Sequence, residues 1–174
     1  MTTLDLFSVN HQQAACDGQS KENMTAQKDD LLDGLITQGC TTKEVEGTTL
    51  ISLPEDEAEF IFERMGHWLY LGTTFMAPEE FETSSHASGL DRFLLELQHR
   101  NLGCRFSYDS AGFLTIGGEL SPEHQQVEKV LQMLEQILFV IESCILLCDQ
   151  VLDSGDIPSD REVDDAFGIN EHLH

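Results

Sequence analysis

The chain has 174 residues, of which 40% are hydrophobic and 24% charged, the balance of a globular domain rather than of a disordered segment. Thirty-two Asp plus Glu against nine Lys plus Arg leave a formal charge of −23, which repels phosphate backbones and speaks against a nucleic-acid partner. The five cysteines, Cys16, Cys40, Cys104, Cys144 and Cys148, are odd in number and never spaced C-x-x-C. Neither a disulfide framework nor a zinc module is indicated, and a reducing cytoplasm is the expected setting.

The opening residues, Met1-Thr2-Thr3-Leu4-Asp5, lack the basic and then apolar pattern of a secretory signal. From about residue 8 to residue 30 the chain is polar with no sustained apolar period, so residues 1–27 are expected to form a flexible arm. Leu31, Leu32, Leu35 and Ile36 then mark one face of a short helix that Gly39 ends. Thr48 to Leu53, Ala58 to Arg64 and His67 to Phe75 are β-branched or aromatic runs, separated by a Pro-led acidic stretch and by Met65-Gly66. They read as a three-stranded antiparallel meander. In the third run both faces are fairly apolar, covered either by the chain's own helices or by something beyond it.

A polar loop from Glu79 to Ser88 leads to a helix capped by Ser88, with Leu90, Phe93, Leu94 and Leu97 at i, i+3, i+4 and i+7. Cys104 to Tyr108 and Phe113 to Leu120 read as a hairpin, in which Gly117-Gly118 marks a bulge or a close backbone approach. Ser121-Pro122-Glu123 opens the longest element, a helix to about Leu152 before Ser154-Gly155. Its apolar stripe widens through Phe139, Val140, Leu146 and Leu147 until the middle is apolar nearly all round. Such a helix needs cover on two sides, from its own sheet and from another element or subunit. The run from Ile137 to Leu147, interrupted by Glu142 and Ser143, falls short of the roughly 20 residues that span a bilayer, so no membrane insertion is expected. Residues 28–155 thus form an α+β domain of order α-β-β-β-α-β-β-α, an antiparallel sheet packed by helices, and residues 156–174 an acidic tail.

No phosphate-binding, dinucleotide, serine-hydrolase or zinc-protease motif occurs. Cys144 and Cys148 lie one helical turn apart, but on the apolar stripe they read as small hydrophobes. Paired acids such as Glu79-Glu80 and Asp164-Asp165 lie in polar stretches where nothing desolvates one carboxylate to raise its pKa. No catalytic residue, metal ligand or cofactor is assigned.

The element order, the long amphipathic last helix and the closing segment, Gly155-Asp156-Ile157-Pro158 and then Asp160-Arg161-Glu162-Val163 to Phe167-Gly168-Ile169, resemble the class I chaperones of bacterial type III secretion. The polar arm before Gln27 departs from that family's usual start. The resemblance implies a non-enzymatic homodimer, linked to virulence, that binds the N-terminal segment of an effector protein in extended form and keeps it export-competent. Client contacts would come from Phe60, Phe62, Trp68, Tyr70, Phe106 and Phe113, and dimer contacts from Leu90, Phe93, Leu94, Leu97, Phe139 and Val140. The chain is also similar to stand-alone bacterial regulators of the stress-associated type, which share the fold without a secreted client.

Overall fold

The computed structural model describes residues 30–54, 58–100 and 102–169. The arm expected over residues 1–27 therefore lies outside the described residues. The elements are α1 (residues 30–37), β1 (Thr41–Val45), β2 (Thr48–Ser52), β3 (Glu59–Met65), β4 (Trp68–Met76), α2 (Pro78–Phe81), α3 (Ala87–His99), β5 (Arg105–Tyr108), β6 (Leu114–Leu120), a 3-10 turn (Pro122–His124), α4 (Val127–Ser154) and α5 (Asp160–Ala166).

Helix α1 ends where Gly39 turns to a φ of +93°, and the amides of Gly39 and Cys40 return to the carbonyls of Ile36 and Leu35. Glycine alone takes that conformation cheaply, and the paired bonds close the helix. The chain then enters a six-stranded sheet of order β1-β2-β3-β4-β6-β5, every neighbouring pair antiparallel. Strand β1 is one more than the sequence reading expected. Its Lys43 and Glu44 carry weak strand signal, yet Glu46 and Gly47 both adopt positive φ and make the two-residue hairpin turn that pairs it with β2.

One face of the sheet, Ile51, Phe60, Phe62, Leu69, Leu71, Ile116 and Leu120 among others, is buried with α1, α3 and α4 in a single apolar core. Helix α4 crosses β4 and β6, and Met133 sits where a side chain on Gly118 would have to go, its Sδ 2.8 Å from an ideal Cβ there. The glycine pair of β6 thus marks a close approach of helix to sheet. The bulge lies instead in β4, between Thr74 and Met76.

Three boundaries differ from expectation. Helix α3 begins at Ala87 behind His86, one turn-forming step before Ser88. Ser121-Pro122-Glu123 opens only the 3-10 turn, since Gln125 leaves helical geometry at ψ +63° and α4 starts afresh at Val127. Residues 160–166 of the acidic tail are helical and attached to the body. Ser159 and Glu162 cap α5 reciprocally, Val163 and Phe167 are buried, and Arg100 at the end of α3 binds Asp160 and Asp164 at 2.5 Å each.

Candidate functional site

Strand alternation and register decide which of the sequence-predicted aromatics reach the surface. The turn at Gly66-His67, with Gly66 at φ +66°, pairs Met65 with Trp68 and so Phe62 with Leu71 and Glu63 with Tyr70. Phe60 and Phe62 consequently share the inner face with Leu69 and Leu71 and are at most 2% exposed. Phe106 pairs with Ile116, faces α3 and is buried too. These three expected client contacts belong to the chain's own core, because odd and even positions of one strand point to opposite faces. Phe113 is half-buried in the β5–β6 turn, at the opposite end of β6 from Glu119, so the structure does not bring it to Trp68.

Trp68 and Tyr70 point to the outer face of the sheet, opposite Leu69 and Leu71. Trp68, the only tryptophan, is 47% exposed. Tyr70 lies down on the sheet over the cross-strand pair Gly72 and Gly117. Its Cζ is 2.7 Å from where a Cβ on Gly72 would be, and its Oη 2.5 Å from where one on Gly117 would be. Only glycine leaves that trough open. Glu63 and Glu119 are the direct cross-strand neighbours of Tyr70, and both are exposed. Burial, followed by the charges of these two carboxylates, raises the phenol pKa despite a hydrogen bond with Thr115. Trp68, Tyr70, Gly117, Glu119, Arg105 and Ser107 line a cleft of about 530 Å³.

On the other side of β5 a second groove, about 340 Å³, runs between α3 and the strand and is lined by Leu94, Leu95, Phe106, Tyr108 and Leu114. Leu95 is 60% exposed, and Tyr108 is half-exposed with its hydroxyl donating to Asp91 at 2.6 Å. Burial first, and that carboxylate second, push the Tyr108 pKa up. Among the described residues strand β5 is a sheet edge with one row of backbone groups lacking a strand partner, and its Phe106 carbonyl accepts from the Gln98 side chain of α3 at 3.1 Å.

Of the expected dimer contacts, Leu90, Phe93, Leu94, Leu97 and Val140 are buried within the single chain. Their helical spacing marks the face turned to the core. Phe139 is 45% exposed and meets Phe167 edge-on at 5.9 Å. The exposed apolar positions of α4 that the expectation left out are Ile145 and Leu146, the latter 74% exposed. Helix α4, at 28 residues, has the length and composition of a membrane span. The 11-residue run expected from the sequence understates it. Its inward stripe from Val130 to Val151 is nevertheless buried on the sheet and α3, while Glu135, Glu142, Asp149 and Asp153 stand on the exposed face.

Cys104, Cys144 and Cys148 are buried together. Burial raises the Cys104 thiol to about 12, and a hydrogen bond with Cys144 together with burial raises Cys148. A thiol held protonated is a poor nucleophile and a poor metal ligand. Among the described residues no cluster of three or more His, Cys, Asp or Glu is placed to hold a metal ion.

No family profile and no curated protein sequence matches the chain. Its fold does match solved structures. A chain in the structure of the HopA1–SchA chaperone–effector complex aligns with a TM-score of 0.50 at 15% identity, over 73% of this chain and 95% of that one. A chain of the ExsC–ExsE complex aligns at a TM-score of 0.43 and 13% identity, over 81% of this chain and 100% of that one, and adds no weight. The α+β architecture implied by the sequence resemblance, an antiparallel sheet packed by helices in a chaperone-like fold, is the architecture observed.

Proposed function

We propose that the protein is a non-catalytic secretion chaperone of the cytoplasm, a homodimer that holds the N-terminal segment of an effector protein in extended form. The observation that carries this reading is β5. Among the described residues it is a sheet edge with no further strand partner and a groove on each side, an apolar one at Leu95 and Tyr108 and an aromatic and acidic one at Trp68 and Tyr70. An extended segment that pairs with such an edge satisfies its backbone groups and sends alternate side chains into the two grooves. The net charge of −23 keeps a molecule with open apolar grooves soluble.

Purification from the native cell, followed by amide exchange on whatever co-purifies, tests the proposal. The expected result is one effector bound stoichiometrically through an N-terminal segment without helical protection. Leu95→Asp should release it with the circular dichroism spectrum unchanged, since a charge in a desolvated groove costs on the order of several kcal/mol. Recovery of the protein with no secreted partner would favour the stand-alone regulator.

A further inference from the structure

We infer that the outer-face cleft is a subsite for a basic side chain, a Lys or Arg carried by the extended client segment. The inference rests on the chaperone reading and names the chemistry of its client. Because Tyr70 lies flat over Gly72 and Gly117, the ring turns one π-face to the sheet and the other outward. A phenol standing upright would offer only its edge. The half-exposed indole of Trp68 stands two residues away on the same face. Glu63 and Glu119 flank Tyr70 from β3 and β6, and neither makes an ion pair among the described residues.

An open π-face with two unpaired carboxylates beside it is the arrangement that attracts a cation, through the ring quadrupole and ordinary Coulomb attraction together. An anionic or purely aliphatic side chain gains neither. The whole chain carries −23, so a basic segment is also drawn in at long range. Reach selects the same residue types. A strand added at β5 lies two strand spacings, about 10 Å, from β6. A side chain leaving it reaches the phenol above Gly117 either past Arg105, the direct β5 partner of Gly117, or diagonally over Ser107 and Thr115, and only a long side chain approaches it by either path. Arg105 lines the cleft as the direct β5 neighbour of Gly117. It repels a basic guest, which places the guest on the Ser107 side and gives the subsite a second handle.

Trp68 is the only tryptophan, so its emission reports occupancy directly. The probes are four blocked pentapeptides, Thr-Val-Xaa-Val-Thr, with Xaa as Lys, Arg, Gln or Glu, titrated into the full-length protein. The Lys and Arg peptides should change the emission and bind roughly five- to tenfold more tightly than the Gln peptide, with Glu weakest and the preference shrinking in high salt. Glu63→Gln together with Glu119→Gln should abolish the preference while the Gln peptide binds as before, and Arg105→Gln should increase it. Equal binding of all four peptides overturns the subsite and leaves the chaperone reading standing. No emission change with any peptide overturns both uses of this face. An emission change that tracks protein concentration without peptide makes the face a contact between two copies of the chain and also overturns the proposal.

Discussion

Gly72 and Gly117 face each other across β4 and β6 under the same phenol, but they differ in what a methyl group would strike. At Gly72 the three nearest atoms all belong to the Tyr70 ring, which can swing away. At Gly117 the Leu71 carbonyl oxygen, 2.6 Å from the ideal Cβ, is close as well, and backbone in the middle of a sheet cannot yield. Gly117→Ala should therefore cost about 1–3 kcal/mol in urea unfolding, whereas Gly72→Ala should cost less and mainly displace the ring. Tyr70→Ala added to Gly72→Ala should recover most of the loss, and added to Gly117→Ala only part of it. Equal recovery in the two backgrounds would mean that the Leu71 carbonyl plays no role.

Part of this was legible in the residues. Gly117-Gly118 reads as a close approach from sequence, and the structure finds one on each side of the sheet, Tyr70 over Gly117 and Met133 under Gly118. The aromatic set of the candidate site was legible only as a set of names, because composition does not say which face a strand turns inward. The missing signal was the turn. A two-residue connection at Gly66-His67 sets Phe62 against Leu71, and a single step of register places Trp68 and Tyr70 on the opposite face from Phe60 and Phe62.

Among the elements, α5 is the one whose attachment depends most visibly on charge. Seven residues cannot hold a helix alone. It stays because Val163 and Phe167 are buried, because Arg100 binds Asp160 and Asp164, and because Glu162 accepts from the Ser159 amide and hydroxyl at 2.7 Å each. Those bonds favour the ionised carboxylate and lower the Glu162 pKa from its ordinary 4.5. A lowered folded-state pKa means that the contribution is complete above the unfolded value of 4.5 and is lost as pH falls through the folded one. Amide protection between Val163 and Phe167, taken against the unstructured exchange rate at each pH, should thus fall in acid before that of the α4 amides. Arg100→Ala should bring the same loosening at neutral pH, the almost fully solvated Asp160 accounting for about 1 kcal/mol or less of it and the partly buried Asp164 for the larger share. Joint loss of protection in α4 and α5 would show instead that the two open as one unit.

The closing segment was recognisable as a motif, yet it read as a tail because seven residues dense in acids carry too few apolar positions for a helical period. Ser159 with Glu162 three residues on was the available sign of a capped helix. Strand β1 escaped for a related reason, its five residues carrying only one large apolar side chain. The long elements, α3 and α4, were plain because a 3.6-residue period repeated over several turns fits neither a strand nor a loop.

For the whole molecule, the apolar surface left over on α4 bears on assembly. The helix turns Val130, Leu134, Ile137, Val140, Cys144, Cys148 and Val151 into the core and still presents Phe139, Ile145 and Leu146 outward. Leu131, Leu138, Ile141 and Leu147 are only partly covered at its flanks. Leu138 and Ile141 also line a groove of about 530 Å³ that continues to Leu50 and Ile61. A stable pair of copies needs roughly 800 Å² from each partner around a dry centre, and among the described residues the outward positions of α4 offer apolar surface toward it. Glu142 and Asp149 stand one turn on either side of Leu146, and Glu135 one turn before Phe139, so exposed acids line this surface beside the apolar side chains. Sedimentation at micromolar concentration should give twice the 19.5 kDa of one chain. Leu146→Glu should return the monomer with an unchanged far-ultraviolet spectrum, because that side chain is 74% exposed and the monomer's core does not use it. Leu95→Asp, on the far groove, should leave the dimer intact. A wild-type chain that stays at 19.5 kDa into the millimolar range, or a dimer indifferent to Leu146→Glu, would rule out α4 as the contact between copies.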